Sequence, residues 1–229
     1  MSTVSKRYIK NKELIEENHK YMVDEAISLL KKTGNTKFKE SIDVAINLGI
    51  DPKQTEQNVR GSVVLPNGTG KNMRVIVFAE SEDADVAKSA GADEVGAEDL
   101  AEKIKAGFSD FDIVIATPSA MKIVGQLGQV LGPKGLMPNP KDGTVTKNIK
   151  EAVTNAKKGQ AMFRNDKGGV LHCSIGSVEF TEESIKENLL SLITQVNKSK
   201  PSSAKGIFIK KITLSSTMGP GIHVEESSL

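Results

Sequence analysis

His172 and Cys173 stand side by side, and a base next to a thiol is what a cysteine nucleophile needs. They lie in Val170–Ile175, whose apolar residues alternate as in a strand, and successive strand residues point to opposite faces. The two side chains therefore cannot meet. Cys173 is assigned to the core and His172 to an exposed face. One cysteine and three scattered histidines, His19, His172 and His223, give no zinc-ligand spacing. Asp166 sits in a glycine turn with no second carboxylate or base nearby in sequence, which suits a turn-stabilising aspartate better than a catalytic acid.

Two phosphate-binding patterns fail on spacing. Gly68-Thr69-Gly70-Lys71 resembles the end of a phosphate loop. The motif G-x-x-x-x-G-K-[ST] needs glycine where Leu65 stands and Ser or Thr where Asn72 stands, and it follows a strand instead of preceding one. A linker is the better reading. Gly125, Gly128 and Gly132 lack the G-x-G-x-x-G spacing and fall within or at the end of a helical stretch, where close helix packing accounts for them better. A nucleotide-dependent enzyme is thus the weaker reading, and no cofactor or metal is expected.

Three other places suit RNA. Lys37-Phe38-Lys39 puts an aromatic between two cations just before a strand. The lysines can meet phosphates while Phe38 packs on a sugar or base; alternatively Phe38 fills the core and the lysines are solvated. Arg164, Asp166 and Lys167 crowd one hairpin end, either as contacts or as an ordinary polar turn. Ser215-Ser216-Thr217-Met218-Gly219-Pro220-Gly221 leaves backbone and hydroxyl groups open to ribose 2′-OH and phosphate. His172 joins these on the exposed face. A protein-interaction scaffold without RNA is a further reading, separable by a gel shift with rRNA fragments.

Two textures of sequence position these residues. From Glu40 to Ile50, Ile42, Val44, Ile46 and Leu48 recur at every second position, and Val59, Gly61, Val63 and Leu65 repeat the pattern. Met162–Asn165 and Val170–Ile175 flank Asp166-Lys167-Gly168-Gly169 as a hairpin, and Gly206–Ser216 reads as another strand. Helices are predicted over Asp24–Lys32, closed by Gly34, and over Thr181–Lys198, where Thr181 caps and Glu182 and Glu183 favour the dipole. In between, the strands Met73–Ala79, Asp93–Gly96 and Asp112–Ala116 alternate with the helical stretches Asp83–Ser89, Ala97–Ala106 and Ser119–Leu131. Fully apolar strands alternating with helices argue for a parallel sheet covered on both faces. The prediction is a discontinuous two-domain protein: an α+β host, residues 1–67 plus 159–229, with an α/β module, 68–158, inserted and hinged at the two crossings.

Composition bounds the function classes. The chain has 229 residues, a net charge of +2 and 38% apolar residues, with the host near +3 and the insert near −1. That bias points weakly to the host as the RNA face. A single cysteine permits no intrachain disulfide and suits a reducing compartment. Met1–Lys12 is polar and basic without the apolar core of a signal peptide, and no run approaches the ~18 apolar residues of a membrane span. A cytoplasmic protein without membrane partners is expected.

Asn58-Val59-Arg60-Gly61, Ala116-Thr117-Pro118, Phe163-Arg164-Asn165-Asp166-Lys167, Thr217-Met218-Gly219-Pro220 and, above all, the decapeptide Leu131-Gly132-Pro133-Lys134-Gly135-Leu136-Met137-Pro138-Asn139-Pro140 resemble the signatures of the L-one family of large-subunit ribosomal proteins, bacterial type. They occur in that family's order and span nearly the whole chain. The resemblance implies a Rossmann-like insert in the α+β host and a non-catalytic role. It implies binding to the stalk region of large-subunit rRNA, help in releasing deacylated exit-site tRNA, and repression of the protein's own operon mRNA through a mimic of the rRNA site. It implies a monomer outside the ribosome. Carried onto this sequence, the family's RNA contacts fall on Lys37, Phe38, Ser41, Arg164, Asp166, Lys167, Thr217, Met218 and Gly219. Ser41 departs from the expected threonine and keeps the hydroxyl without the methyl.

Overall fold

The computed structural model describes residues 5–16, 19–80 and 82–228. In chain order the elements are α1 (Lys6–Glu13), α2 (Val23–Thr33), β1 (Ser41–Leu48), β2 (Arg60–Val64), β3 (Val75–Phe78), α3 (Glu82–Ser89), β4 (Glu94–Gly96), α4 (Glu98–Lys105), β5 (Ile113–Ala116), α5 (Met121–Gln126), α6 (Gly128–Leu131), α7 (Ile149–Lys158), β6 (Gln160–Asn165), β7 (Val170–Ser177), α8 (Glu182–Lys198), β8 (Ile209–Ser216) and β9 (Ile222–Val224). The chain divides into two compact units, Met1–Gly70 with Ala161–Leu229, and Lys71–Gln160.

The first unit is built on a six-stranded sheet of order β2-β6-β7-β1-β8-β9. Its centre is β1, which pairs antiparallel with β7 and β8. The two-residue period of β1 buries Ile42, Val44, Ile46 and Leu48 and turns Ser41, Asp43, Ala45 and Asn47 the other way. Onto the buried face pack α2, through Val23, Ala26, Ile27 and Leu30, and α8, through Ile185, Leu189, Leu192 and Val196. The start of α8 follows from Thr181, whose side chain accepts from the Ser184 amide at 3.2 Å. Asn188, fully buried in α8, accepts from the Asn67 amide and donates to Gly68 O and Ile175 O. The segment read as a linker is therefore pinned to the helix.

The second unit has a parallel sheet of order β4-β3-β5. All residues of β3 and β5 are buried because both faces are covered. Ile76, Phe78, Val114 and Ala116 meet α4, α5 and α6, while Val75, Val77, Ile113 and Ile115 meet α3 and α7. The mixed class, with one antiparallel and one parallel sheet, is the one expected.

Several local expectations need correction. The helix predicted over Ser119–Leu131 is two pieces, broken at Leu127, whose amide bonds Val124 O at 2.9 Å in a tighter turn. Gly125 and Gly128 flank the break, and a Cβ on either would meet nothing within 4 Å. Close packing is thus not their reason; their weak helix propensity at a break is. The strand predicted from Gly206 begins at Ile209, because Gly206 sits at φ 83° in a turn. Helix α7 was missed although Ile149, Ala152, Val153 and Ala156 lie at helical spacing and Gly159, at φ 98°, closes it. The short elements α1 and β9 were missed as well.

Candidate nucleic-acid interface

The end of β8 meets the start of β1 in a compact polar knot. The Thr217 amide donates to Ser41 O at 3.1 Å, and the Ser41 amide donates to Thr217 Oγ1 at 3.0 Å. The two hydroxyls are 3.0 Å apart, Ser41 Oγ lies 3.3 Å from Asp43 Oδ2, and Thr217 Oγ1 lies 3.4 Å from Ser41 O. A hydroxyl has one proton and two lone pairs. The Thr217 proton goes to one or other oxygen of Ser41, and the Ser41 proton goes to Asp43 or Thr217. Each proton thus has an acceptor within the knot, which leaves lone pairs over for an outside donor.

Met218 follows, with its side chain half exposed. Its amide donates to Glu40 Oε2 at 3.0 Å, and its carbonyl accepts from Arg7 at 3.4 Å. The Gly219 amide closes the turn on Ser216 O at 3.1 Å, and a Cβ on Gly219 would fall 2.5 Å from Ser216 Oγ. Lys37 and Phe38 lead into β1 from the same end and are both exposed, Phe38 at 54%. The core reading of Phe38 is wrong: its neighbour Glu40, not Phe38, turns inward, while Thr36 Oγ1 ties back to Phe38 O at 2.8 Å. Lys39 is paired with Glu179 at 3.0 Å.

The hairpin residues form a second group. The Asp166 carboxylate accepts from the Gly168 and Val170 amides, each at 2.8 Å, as a turn-stabilising aspartate does. Asp166 Oδ2 lies 3.6 Å from His172 Nε2, and Arg164 stands opposite His172 in the β6–β7 pairing. Arg164, Lys167 and His172 are exposed. The strand register shows how the groups relate. His172 pairs with Ala45 and Ala45 with Thr213, which in turn pairs with His223, making one row across the sheet. One row on lie Ser174, Asp43 and Ser215, and beyond them the Ser41–Thr217 knot. Ala45 is four residues from Ser41, so the His172 row and the knot stand about 13 Å apart on one face. Between them runs a shallow trough of about 410 Å³ lined by Asp43, Ala45, Met162, His172, Ser174 and Ser215.

The charges are tuned by their surroundings. Burial pushes the Cys173 thiol up to about 12, with the Asp43 charge adding to it, so the thiol is inert and stays on the core side while His172 faces out. The Val170 amide, with the Gly168 amide and His172, holds the Asp166 carboxyl below its ordinary value against the opposing effect of desolvation. Burial pushes the Glu40 carboxyl up. The Met218 amide, with the Ser216 and Thr36 hydroxyls and the Arg7 guanidinium nearby, outweighs it and holds Glu40 below the usual range.

Residues 30–220 match the model of the ribosomal protein L1p/L10e family. The chain belongs to that family. Over its full length it is 57% identical to the large ribosomal subunit protein uL1 of Haemophilus ducreyi, covering all of both chains. It is 55% identical to the protein of the same name from Proteus mirabilis, covering 98% of that relative, and 56% identical to that from Thioalkalivibrio sulfidiphilus, covering 99%. The resemblance drawn from the glycine-proline decapeptide and its companion segments is confirmed. In this family member, Ser41, Thr217, Met218 and Gly219 are brought into one knot, with Lys37 and Phe38 beside it in sequence; Arg164, Asp166, Lys167 and His172 form the separate hairpin group. Reading the sequence missed Glu40, Asp43, Arg7 and Ser174; Ser215 was picked out only as part of the hydroxyl-rich segment. A signal for Glu40 existed: it is in phase with Ile42 and Val44, a charge at a core position of the alternation.

Proposed function

We propose that this protein is a non-catalytic component of the large ribosomal subunit in the bacterial cytoplasm. It binds the stalk region of large-subunit rRNA through the open face of its six-stranded sheet. Lys37, Arg164 and Lys167 meet phosphates and set register, Phe38 and Met218 lay apolar surface on sugar or base, and Ser41, Thr217 and Gly219 read the backbone. Asp166 and His172 shape the hairpin end. Residues 1–67 with 159–229 carry these contacts, and the insert, 68–158, serves the release of deacylated tRNA from the exit site. The same face takes the protein's own operon mRNA where that RNA imitates the rRNA site, and free protein acts as a monomer.

The observation that carries the reading is the Ser41–Thr217 knot. Its hydroxyl protons both have acceptors within the knot, so with the knot intact it presents lone pairs to an incoming group. Phosphate oxygens, also acceptors, gain nothing there; a ribose 2′-OH, which can donate, does. Filter binding of the full-length protein to a stalk rRNA fragment, with sedimentation alongside large subunits in sucrose gradients, tests it. Binding and co-sedimentation are expected; absence of both would refute the reading.

A further inference from the structure

We propose that Glu40 and Arg7 are positioning residues that clamp the Met218 peptide from its two sides and so hold the Thr217–Gly219 turn in its RNA-binding shape. The inference rests on the RNA-binding reading of that turn and adds two residues that would not themselves touch RNA.

Glu40 is 3% exposed, an unusual place for a carboxylate. Burying a charge is costly unless hydrogen bonds compensate it. Oε2 accepts from the Met218 amide at 3.0 Å; the buried Oε1 has the Ser216 and Thr36 hydroxyls nearby to stabilise its charge, but neither in good hydrogen-bond geometry. The Glu40 backbone is already fixed, its carbonyl accepting from the Val178 amide at 3.1 Å and from Ser177 Oγ at 3.3 Å. Strand pairing therefore does not need the side chain. The charge-assisted bond to Met218 is what the carboxylate contributes, and it fixes a turn whose following residue is closed on Ser216 O.

Arg7 completes the clamp from α1, reaching Met218 O at 3.4 Å across 211 residues of sequence. Helix α1 is itself anchored beside the turn. Asn11, its one buried residue, donates to Thr33 O at 2.9 Å, and Thr33 Oγ1 would lie 3.6 Å from a Cβ on Gly219. The amino-terminal helix, which no RNA-contact motif singles out, thus becomes part of the interface by bracing it.

A plain electrostatic account predicts the opposite sign from a clamp. Removing a carboxylate near a polyanion should tighten RNA binding. With Glu40 as positioning residue, Glu40→Ala in the full-length protein weakens binding to the stalk rRNA fragment at least ~10-fold, the value of one lost hydrogen bond to a charged group. Glu40→Gln, which keeps an acceptor oxygen of the same shape, recovers part of that loss. In a Thr217→Ala/Met218→Ala background, Glu40→Ala costs less than it does alone, because the groups it positions are gone. Amide exchange followed by NMR without RNA gives an independent arm: Met218 exchanges faster in Glu40→Ala and in Arg7→Ala. Arg7 is a surface residue, so its variant stands should Glu40→Ala fail to fold. Unchanged Met218 exchange, unchanged or tighter RNA binding by a folded Glu40 variant, equal binding by Gln and Ala variants, or full additivity would each overturn the clamp. If the unmutated protein ignores the RNA, the RNA-binding reading falls, and the exchange arm still decides the clamp.

Discussion

Removing the Thr217 hydroxyl should damage the protein twice, by separable amounts. In Thr217→Ala the Ser41 amide loses its 3.0 Å acceptor and the Ser41 hydroxyl loses its 3.0 Å partner. The site is partly open, so water replaces some of what is lost, and the cost in stability is about 1 kcal/mol, near the mean for one hydrogen bond. For a unit of this size that is a fall of about 2–4 °C in Tm. RNA binding loses the acceptor offered to the 2′-OH, about 1–3 kcal/mol, or roughly 5- to 150-fold in Kd. Thr217→Ser keeps every bond of the knot and discards one methyl, worth at most ~4-fold even if fully buried. The assay is filter binding and thermal unfolding of both variants, the former at several salt concentrations. The slope of log K against log salt should match the unmutated protein in both, since no charge is removed. Equal loss of affinity in Ser and Ala variants would refute the hydroxyl argument and leave Thr217 as a packing residue.

Arg164→Ala and Lys167→Ala should lower RNA affinity and flatten the salt slope by somewhat under ~1 each, because each phosphate contact releases counterions; unchanged slopes would remove the hairpin from the interface. Cys173, with its thiol pushed up to about 12, should resist iodoacetamide at pH 8 in the folded protein and react readily once denatured, as read by mass spectrometry; comparable rates would contradict its burial. Asp166 is held below its ordinary value of 3.8, so its contribution is present above that pH and lost as pH falls through the depressed folded value. Amide protection of Gly168 and Val170 should therefore drop in acid below about pH 4 and become pH-insensitive there in Asp166→Asn; protection that persists in the unmutated protein would count against the turn role.

How much of this was legible in the sequence differed by interaction range. The parity of Ile42, Val44, Ile46 and Leu48 and the Thr181 cap are local signals, and the structure follows both. Cys173 and His172 were separated correctly by strand parity alone. What parity cannot give is pairing: Ser41 and Thr217 are 176 residues apart, and only the family resemblance placed both on one surface. The same gap hid Arg7, whose partner lies at the other end of the chain. Phe38 was ambiguous because an aromatic before a strand fits core and surface equally; its parity with Glu40 and Ile42 would turn it inward, but β1 begins only at Ser41, and the bend ahead of it leaves Phe38 exposed. The break at Leu127 was lost because apolar periodicity runs on through it, and the two flanking glycines were read for packing when their effect was on helix propensity.

The central claim is that the open face of the host sheet reads ribose as well as phosphate. The measurement that tests it most directly is the affinity of the full-length protein for a stalk rRNA fragment against the same fragment made with deoxyribose at the positions protected by the protein, at one fixed salt concentration. The phosphates are identical in the two ligands, so counterion release is common to both. The deoxy-substituted RNA should bind more weakly by at least ~5-fold per 2′-OH seated on the Ser41–Thr217 knot, with no further loss in Thr217→Ala. Equal affinity for the two ligands would contradict it.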